Sequence, residues 1–193
     1  MDKATEEHWN MALRVLKYLN GTKEYGLVFK KQSTPMSGYS DSDFAGDVND
    51  RKSTSGFVFL LNGSAISWRS KKQTVVAQST TEAEYIAMSY AVREAIWIKS
   101  VIYDLKCDLI PEITVVNIKT DNQQVLELSK NEIVSEKSKH IDVKYHLVRD
   151  HSISGTIELA HVPSCDMIAD TMTKGLNKTK FSFFRQAMGV SEI

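Results

Sequence analysis

The chain has 193 residues, more than one typical domain of about 150 and less than two, so one domain with an appendage is expected. Its 24 Lys and Arg balance its 24 Asp and Glu, which excludes a strongly basic nucleic-acid clamp, an acidic tail and a supercharged disordered chain. Two cysteines, Cys107 and Cys165, are too few for a disulfide framework, and no apolar run approaches the ~20 residues that span a bilayer, so the chain reads as soluble and intracellular.

Thr5 is placed to cap a helix whose first turn carries Glu6 and Glu7, and Trp9, Leu13, Leu16 and Leu19 recur at helical spacing until Asn20-Gly21. A short β-like run, Tyr25 to Phe29, precedes a polar stretch from Lys30 to Ser37, and the boundary between an appendage (1–35) and a main domain (36–193) is set there. Gly38 to Asp41 reads as a strand, Gly56 to Leu61 as a buried strand, and Asn62-Gly63 as a two-residue hairpin turn leading into Ala65 to Trp68. Thr74 to Ala77 reads as an extension of that third strand after a bend. Ser79-Thr80-Thr81-Glu82 forms a capping box for a long helix over 80–106.

Beyond Pro111 the β-branched run Ile113 to Ile118 ends at Asp121 and feeds a short helix, Gln123 to Leu128. A second amphipathic helix is expected over 138–150, with Ile141, Tyr145 and Val148 on one stripe. A strand from Thr156 to Val162 follows, and then a helix over 165–174 ending at Gly175. The order is β-β-β-α-β-α-β-α, three antiparallel strands giving way to βα units, which defines a mixed α/β sheet domain.

Four carboxylates stand out from the solvated majority. Asp41 ends an apolar strand, Glu84 lies in the second turn of the long helix, Asp121 ends the β-branched run, and Asp170 falls midway along the last predicted helix. Four carboxylates in one pocket repel, so such a pocket calls for cations. Oxygen-only ligands select Mg²⁺ or Mn²⁺, and two such ions can bind an attacking water and a leaving oxygen in an in-line phosphoryl displacement.

The motifs Gly38-Tyr39-Ser40-Asp41-Ser42-Asp43-Phe44-Ala45-Gly46-Asp47, Arg51-Lys52-Ser53-Thr54-Ser55-Gly56 and Ser79-Thr80-Thr81-Glu82-Ala83-Glu84-Tyr85 occur in order. With Lys119-Thr120-Asp121-Asn122, Lys139-His140-Ile141-Asp142 and Ile168-Ala169-Asp170-Thr171-Met172-Thr173-Lys174, the chain from about residue 36 resembles the ribonuclease H domain of copia-type (Pseudoviridae) long-terminal-repeat retrotransposon Pol polyproteins. The segment from His8-Trp9 to Thr22 resembles the C-terminal end of the neighbouring reverse transcriptase.

That resemblance implies an RNase H-like fold, a five-stranded mixed sheet flanked by helices. It implies that Asp41, Glu84, Asp121 and Asp170 hold two Mg²⁺ ions, with Mn²⁺ as a substitute. It sets His161 near a histidine that assists proton transfer and product release in cellular homologues. The implied activity is endonucleolytic hydrolysis of the RNA strand of an RNA·DNA hybrid, in the cytoplasm within a virus-like particle or in the nucleus, with the tethered reverse transcriptase as partner. The rivals are a catalytically silent hybrid-binding or assembly module of the same fold and an integrase-like nuclease, whose acid order differs.

Other residues carry weaker signals. Arg69, Lys71 and Lys72 follow the third predicted strand as a basic bend and can contact phosphates, while Asn122 and Gln123 beside Asp121 can reach 2′-hydroxyls or simply cap a helix. Asp43 reads as a turn former before Gly46, and Ser164 and Asp166 as helix caps. His140, His146 and His151 lack a metal-ligand pattern, so no zinc is expected, and Trp9, Trp68 and Trp97 are expected to pack in the core.

Overall fold

The computed structural model describes residues 3–31, 34–105, 113–130 and 142–193. Helix α1 (Glu6–Gly21) and strand β1 (Tyr25–Leu27) precede β2 (Ser37–Asp43), β3 (Thr54–Leu61), β4 (Ser64–Lys72) and the 26-residue α2 (Thr80–Leu105). Then come β5 (Val116–Thr120), α3 (Gln123–Lys130), α4 (Asp142–Ile153) and β6 (Ile157–His161). A 3-10 turn (Ser164–Asp166), α5 (Asp170–Thr173), α6 (Lys178–Ala187) and β7 (Val190–Glu192) complete the chain.

The main sheet has the order β4-β3-β2-β5-β6; β2, β3 and β4 pair antiparallel, whereas β5 is parallel to β2 and β6 to β5. This is the five-stranded mixed sheet expected from the sequence. Asn62 and Gly63 adopt φ of 52° and 78°, the left-handed pair that a two-residue hairpin twisted like its strands requires.

Side-chain alternation sends the sheet's apolar residues to two layers. Phe57, Phe59, Val116 and Ile118 pack with Tyr85, Met88 and Val92 of α2 and Val148 of α4. On the opposite face Tyr39 and Val58 pack with Met167, Ile168, Phe184 and Met188. Each fully buried large apolar side chain contributes about 1.5–3 kcal/mol, so this two-sided burial fixes the register of β2 and β3. Tyr85 stacks on Tyr145 with ring centroids 4.0 Å apart, locking α4 against α2.

Gly56 controls how close α5 comes. A Cβ there would lie 2.6 Å from Cβ of Met172 and 2.7 Å from Cγ2 of Thr173, so only glycine lets this short helix rest directly on β3.

Several elements depart from the sequence expectation. The single helix over 165–174 is replaced by a 3-10 turn and the one-turn α5, because Met167, Ile168 and Ala169 are all buried in succession and three consecutive inward residues do not fit one helical stripe. Asp170 therefore opens α5 instead of lying midway along a helix. Helix α6 and strand β7 were not anticipated. The third strand runs on through Arg69 to Lys72 in antiparallel pairing with β3, so the basic run is strand and not a bend, and residues 74–77 are not strand.

The three tryptophans are exposed, Trp9 at 64%, Trp68 at 55% and Trp97 at 58%, instead of packing in the core. Trp97 falls between the inward Ala95 and Ile98 and points away, and α1 buries no residue against the rest of the chain. The N-terminal segment is nevertheless attached: β1 pairs antiparallel with β7, Tyr25 opposite Glu192. Cys107, Pro111, His140 and the start of the helix expected over 138–150 lie outside the described residues.

Candidate active site

Asp41 lies near the C-terminal end of β2, and Asp121 directly follows β5, the parallel neighbour of β2. Parallel pairing brings these strand ends side by side, where α/β sheets form their sites. Glu84, one turn into α2, reaches the same point, and its Oε1 accepts a hydrogen bond from the Ser42 amide at 3.2 Å. One carboxylate oxygen from each of Asp41, Glu84 and Asp121 lies within 4.8 Å of the others.

Asp41 is fully buried, and Glu84 and Asp170 are only 8% and 4% exposed. Burial pushes the Glu84 carboxyl well above the usual carboxylate range, and the neighbouring charges of Asp41 and Asp121 push it further. Burial likewise raises Asp41, against the opposing pull of the Thr173 hydroxyl and Lys174.

Asp170 joins the triad through cations. The Lys174 ammonium lies 3.1 Å from Oδ1 of Asp41 and 2.9 Å from Oδ1 of Asp170, and Lys180 bonds Oδ2 of Asp170 at 2.6 Å. Burial disfavours the Lys174 charge, but the two carboxylates outweigh it and raise its pKa. The Thr173 hydroxyl donates to Oδ2 of Asp41. Ser164 donates to Oδ2 of Asp121 at 2.7 Å instead of capping a helix.

The triad fits a hard divalent cation. Its donors are all carboxylate oxygens, and Oε2 of Glu84 is buried with no hydrogen-bond partner, a costly arrangement unless something binds it.

The remaining predicted residues sit around this centre. His161 is exposed at the end of β6, opposite Thr120, outside the carboxylate triad. Asn122 turns its Oδ1 onto the amides of Gln124 and Val125, capping α3, and Gln123 is exposed beside it. Strand alternation divides the basic residues: Arg69 stands over Tyr90 on the α2 side, Lys71 shares that side, and Lys72 is on the side of Asp41, bonded to Asp47 at 2.6 Å and Asp50 at 2.9 Å. Asp43 accepts from the Thr54 amide and so closes the loop from 44 to 53.

Sequence reasoning missed Ser164, Thr173, Lys174 and Lys180 as parts of the site. Lys174 carried a signal, since it stands four residues after Asp170, the spacing at which an acid and a base face each other along a helix.

A mixed five-stranded sheet with a buried carboxylate cluster at the ends of its adjoining parallel strands has the ribonuclease H fold. The chain superposes on a ribonuclease H1 from the archaeon Halobacterium salinarum (TM-score 0.51, 17% identity, 72% of this chain and 95% of that one). It superposes equally on LC11-RNase H1 in complex with an RNA/DNA hybrid (TM-score 0.52, 14% identity, 72% of this chain and 93% of that one).

In sequence it is 38% identical over 195 aligned positions to the Retrovirus-related Pol polyprotein from transposon RE2 of Arabidopsis thaliana, covering 100% of this chain and 13% of the relative. It is 35% identical over 190 positions to that from transposon TNT 1-94 of Nicotiana tabacum, covering 98% of this chain and 14% of the relative. No family model matches. Its relatives are copia-type retrotransposon Pol polyproteins that match the whole of this chain, and it spans only about an eighth of the length of the curated relatives it matches.

Proposed function

We propose that this chain hydrolyses the RNA strand of RNA·DNA hybrids, as the ribonuclease H portion of a Pol polyprotein acting in reverse transcription. The observation that carries the reading is the converging triad of Asp41, Glu84 and Asp121, with a buried, unpartnered oxygen on Glu84, within a ribonuclease H fold. A solved neighbour of the same fold is bound to an RNA/DNA hybrid, which supports this choice of substrate.

Asp41, Glu84, Asp121 and Asp170 would hold two Mg²⁺ ions, which supply Lewis acidity and lower the pKa of the nucleophilic water. The protein's share is positional. Ser164 fixes the carboxylate of Asp121, the Ser42 amide fixes Oε1 of Glu84, and Thr173 fixes Oδ2 of Asp41, so the remaining oxygens keep one orientation. His161, exposed at the end of β6, would assist proton transfer and product release. Lys71, Arg69 and Gln123 would meet phosphates and sugars, and Asn122, whose Oδ1 caps α3, would present its amide beside Asp121.

With no net charge, the chain grips a polyanion through few contacts, and a tethered polymerase would supply the rest by effective concentration. Residues 1–35 would be the end of that polymerase, in keeping with an α1 that has no buried residue and meets the following domain through Tyr18 on Phe181. Action would be in a cytoplasmic particle or the nucleus; among the described residues no helix is long and apolar enough to cross a membrane.

The test is cleavage of an end-labelled hybrid with Mg²⁺, beside duplex DNA, duplex RNA and an Asp121→Asn variant. The expected result is cutting of the hybrid's RNA alone and an inert variant. A folded protein that binds hybrid but cuts nothing with Mg²⁺ or Mn²⁺, even when joined to its polymerase, would overturn the proposal.

A further inference from the structure

The two carboxylates at the far side of the site have their oxygens assigned one by one. Oδ2 of Asp41 takes the Thr173 hydroxyl, and Oδ2 of Asp170 takes Lys180. The two Oδ1 atoms are left, and both turn to one ammonium, that of Lys174, at 3.1 and 2.9 Å. A Mg²⁺ ion bound by the same two atoms would sit about 2.0–2.1 Å from each oxygen, in the space the ammonium fills. The ammonium and such an ion cannot both be there, for want of room and because like charges repel at that range.

The triad side differs. Among the described residues no ammonium is hydrogen-bonded to Glu84 or Asp121; the triad shares Lys174 only through Asp41 and through a weaker electrostatic pull on Glu84, whose Oε2 has no hydrogen-bond partner.

We infer that Lys174 is a built-in counter-cation standing in for the second divalent ion, so that loading the Asp41–Asp170 side requires Lys174 to leave. This rests on the metal-dependent reading above and goes beyond it in assigning the two cation positions unequal affinity and an order of filling. The triad fills first. The side chain of Lys174 is 40% exposed and sits at the end of the four-residue α5, so it can turn into solvent without unfolding an element. Lys180 and Thr173 do not have to move, which keeps both carboxylates aimed as the ammonium departs. The function of the arrangement is to hold two buried acids together before substrate and metal arrive, and to make second-ion occupancy the responsive step.

Two measurements on the whole chain test it, neither reading catalysis. In the first, acetylation of each lysine by an N-hydroxysuccinimide ester is followed by peptide mass spectrometry as Mn²⁺ is raised, with Lys17 on the exposed α1 as internal reference. Lys174 is expected to react slowly without metal and at least fivefold faster at saturation. In the second, Mn²⁺ binding is counted by electron paramagnetic resonance and calorimetry for the wild type and Lys174→Gln, which keeps a hydrogen-bond donor without the charge. The variant is expected to bind the weaker ion at least tenfold more tightly and to have a lower metal-free Tm.

If Mn²⁺ binds but Lys174 reactivity stays constant, or if the weaker ion binds the variant no more tightly, the inference is overturned while the metal reading of the triad survives. If no ion binds either protein, both fall together. The labelling arm needs no variant and stands even if Lys174→Gln does not fold.

Discussion

The hydroxyl of Ser164 donates to Oδ2 of Asp121 at 2.7 Å, tying the turn after β6 to the carboxylate that follows β5. A hydroxyl that orients a ligating carboxylate matters out of proportion to its one hydrogen bond, because it removes rotamers in which the acid points elsewhere. Ser164→Ala is expected to weaken divalent-ion binding and hybrid cleavage by about 10–100-fold while leaving the fold intact. Calorimetric titration with Mn²⁺ checks the first effect, and circular dichroism the last.

Metal-free stability is expected to fall as pH rises. Burial, then the charges of Asp41 and Asp121, raise the Glu84 carboxyl well above its ordinary 4.5, and burial raises Asp41 as well. A carboxyl whose folded pKa exceeds its unfolded one contributes stability that is fully present below the unfolded value and lost as pH climbs through the folded value. Thermal melts in chelator should therefore show Tm declining from near pH 4.5 upward, and Mg²⁺ should oppose the decline by binding only the folded, deprotonated site. A melt series equally steep with and without Mg²⁺ would contradict this.

Glu84→Gln separates stability from function. Removing a buried charge that two neighbouring acids repel should raise the metal-free Tm at pH 8, at roughly 2–4 °C per kcal/mol for a chain of this size, and flatten its pH dependence. The same change should abolish tight binding of the first divalent ion. A fall in metal-free Tm would show that the carboxylate's bond from the Ser42 amide outweighs the repulsion.

Gly56→Ala tests how α5 is carried. The new methyl would press on Met172 and Thr173, so α5 must lift from β3 at a cost of about 1–3 kcal/mol, moving Asp170, Thr173 and Lys174 together. Hybrid cleavage should fall much more than a surface change of equal ΔΔG would produce. Urea denaturation and cleavage assays on the same preparation make the comparison.

The chain order of the strands and the placing of Asp41, Glu84 and Asp121 at one end of the sheet could be read from the sequence because each rests on a local pattern: Asn62-Gly63 for the hairpin, the β-branched run before Asp121, and the cap before Glu84. What escaped was set by long-range packing. Met167 to Ala169 look like the start of a helix until both their neighbours claim them for the core. Trp9 looks like core until α1 is found to bury none of its residues, its Tyr18 meeting a ring of α6, that of Phe181, edge to face. Arg69 to Lys72 look like one basic patch until strand pairing turns alternate residues to opposite faces. Lys180 reaches Asp170 from a helix that gave no warning of itself, and its ten-residue separation fits no short-range rule.

The pairing of Tyr25 with Glu192 sets a timetable for the nascent chain. Strands β2 to β4 have local partners and can close while translation continues, but β1 has no partner until the ribosome has passed residue 192. Until then Tyr25, Gly26 and Leu27 lack their strand partner, and an isolated three-residue strand does not hold itself together, while Val28 and Lys30 can already bond Ser64 and Asn62 of the β3–β4 hairpin. Chains stalled between α6 and β7 would accordingly display an unzipped N-terminal strand, sensitive to protease around residues 22–27, a sensitivity that vanishes once β7 emerges.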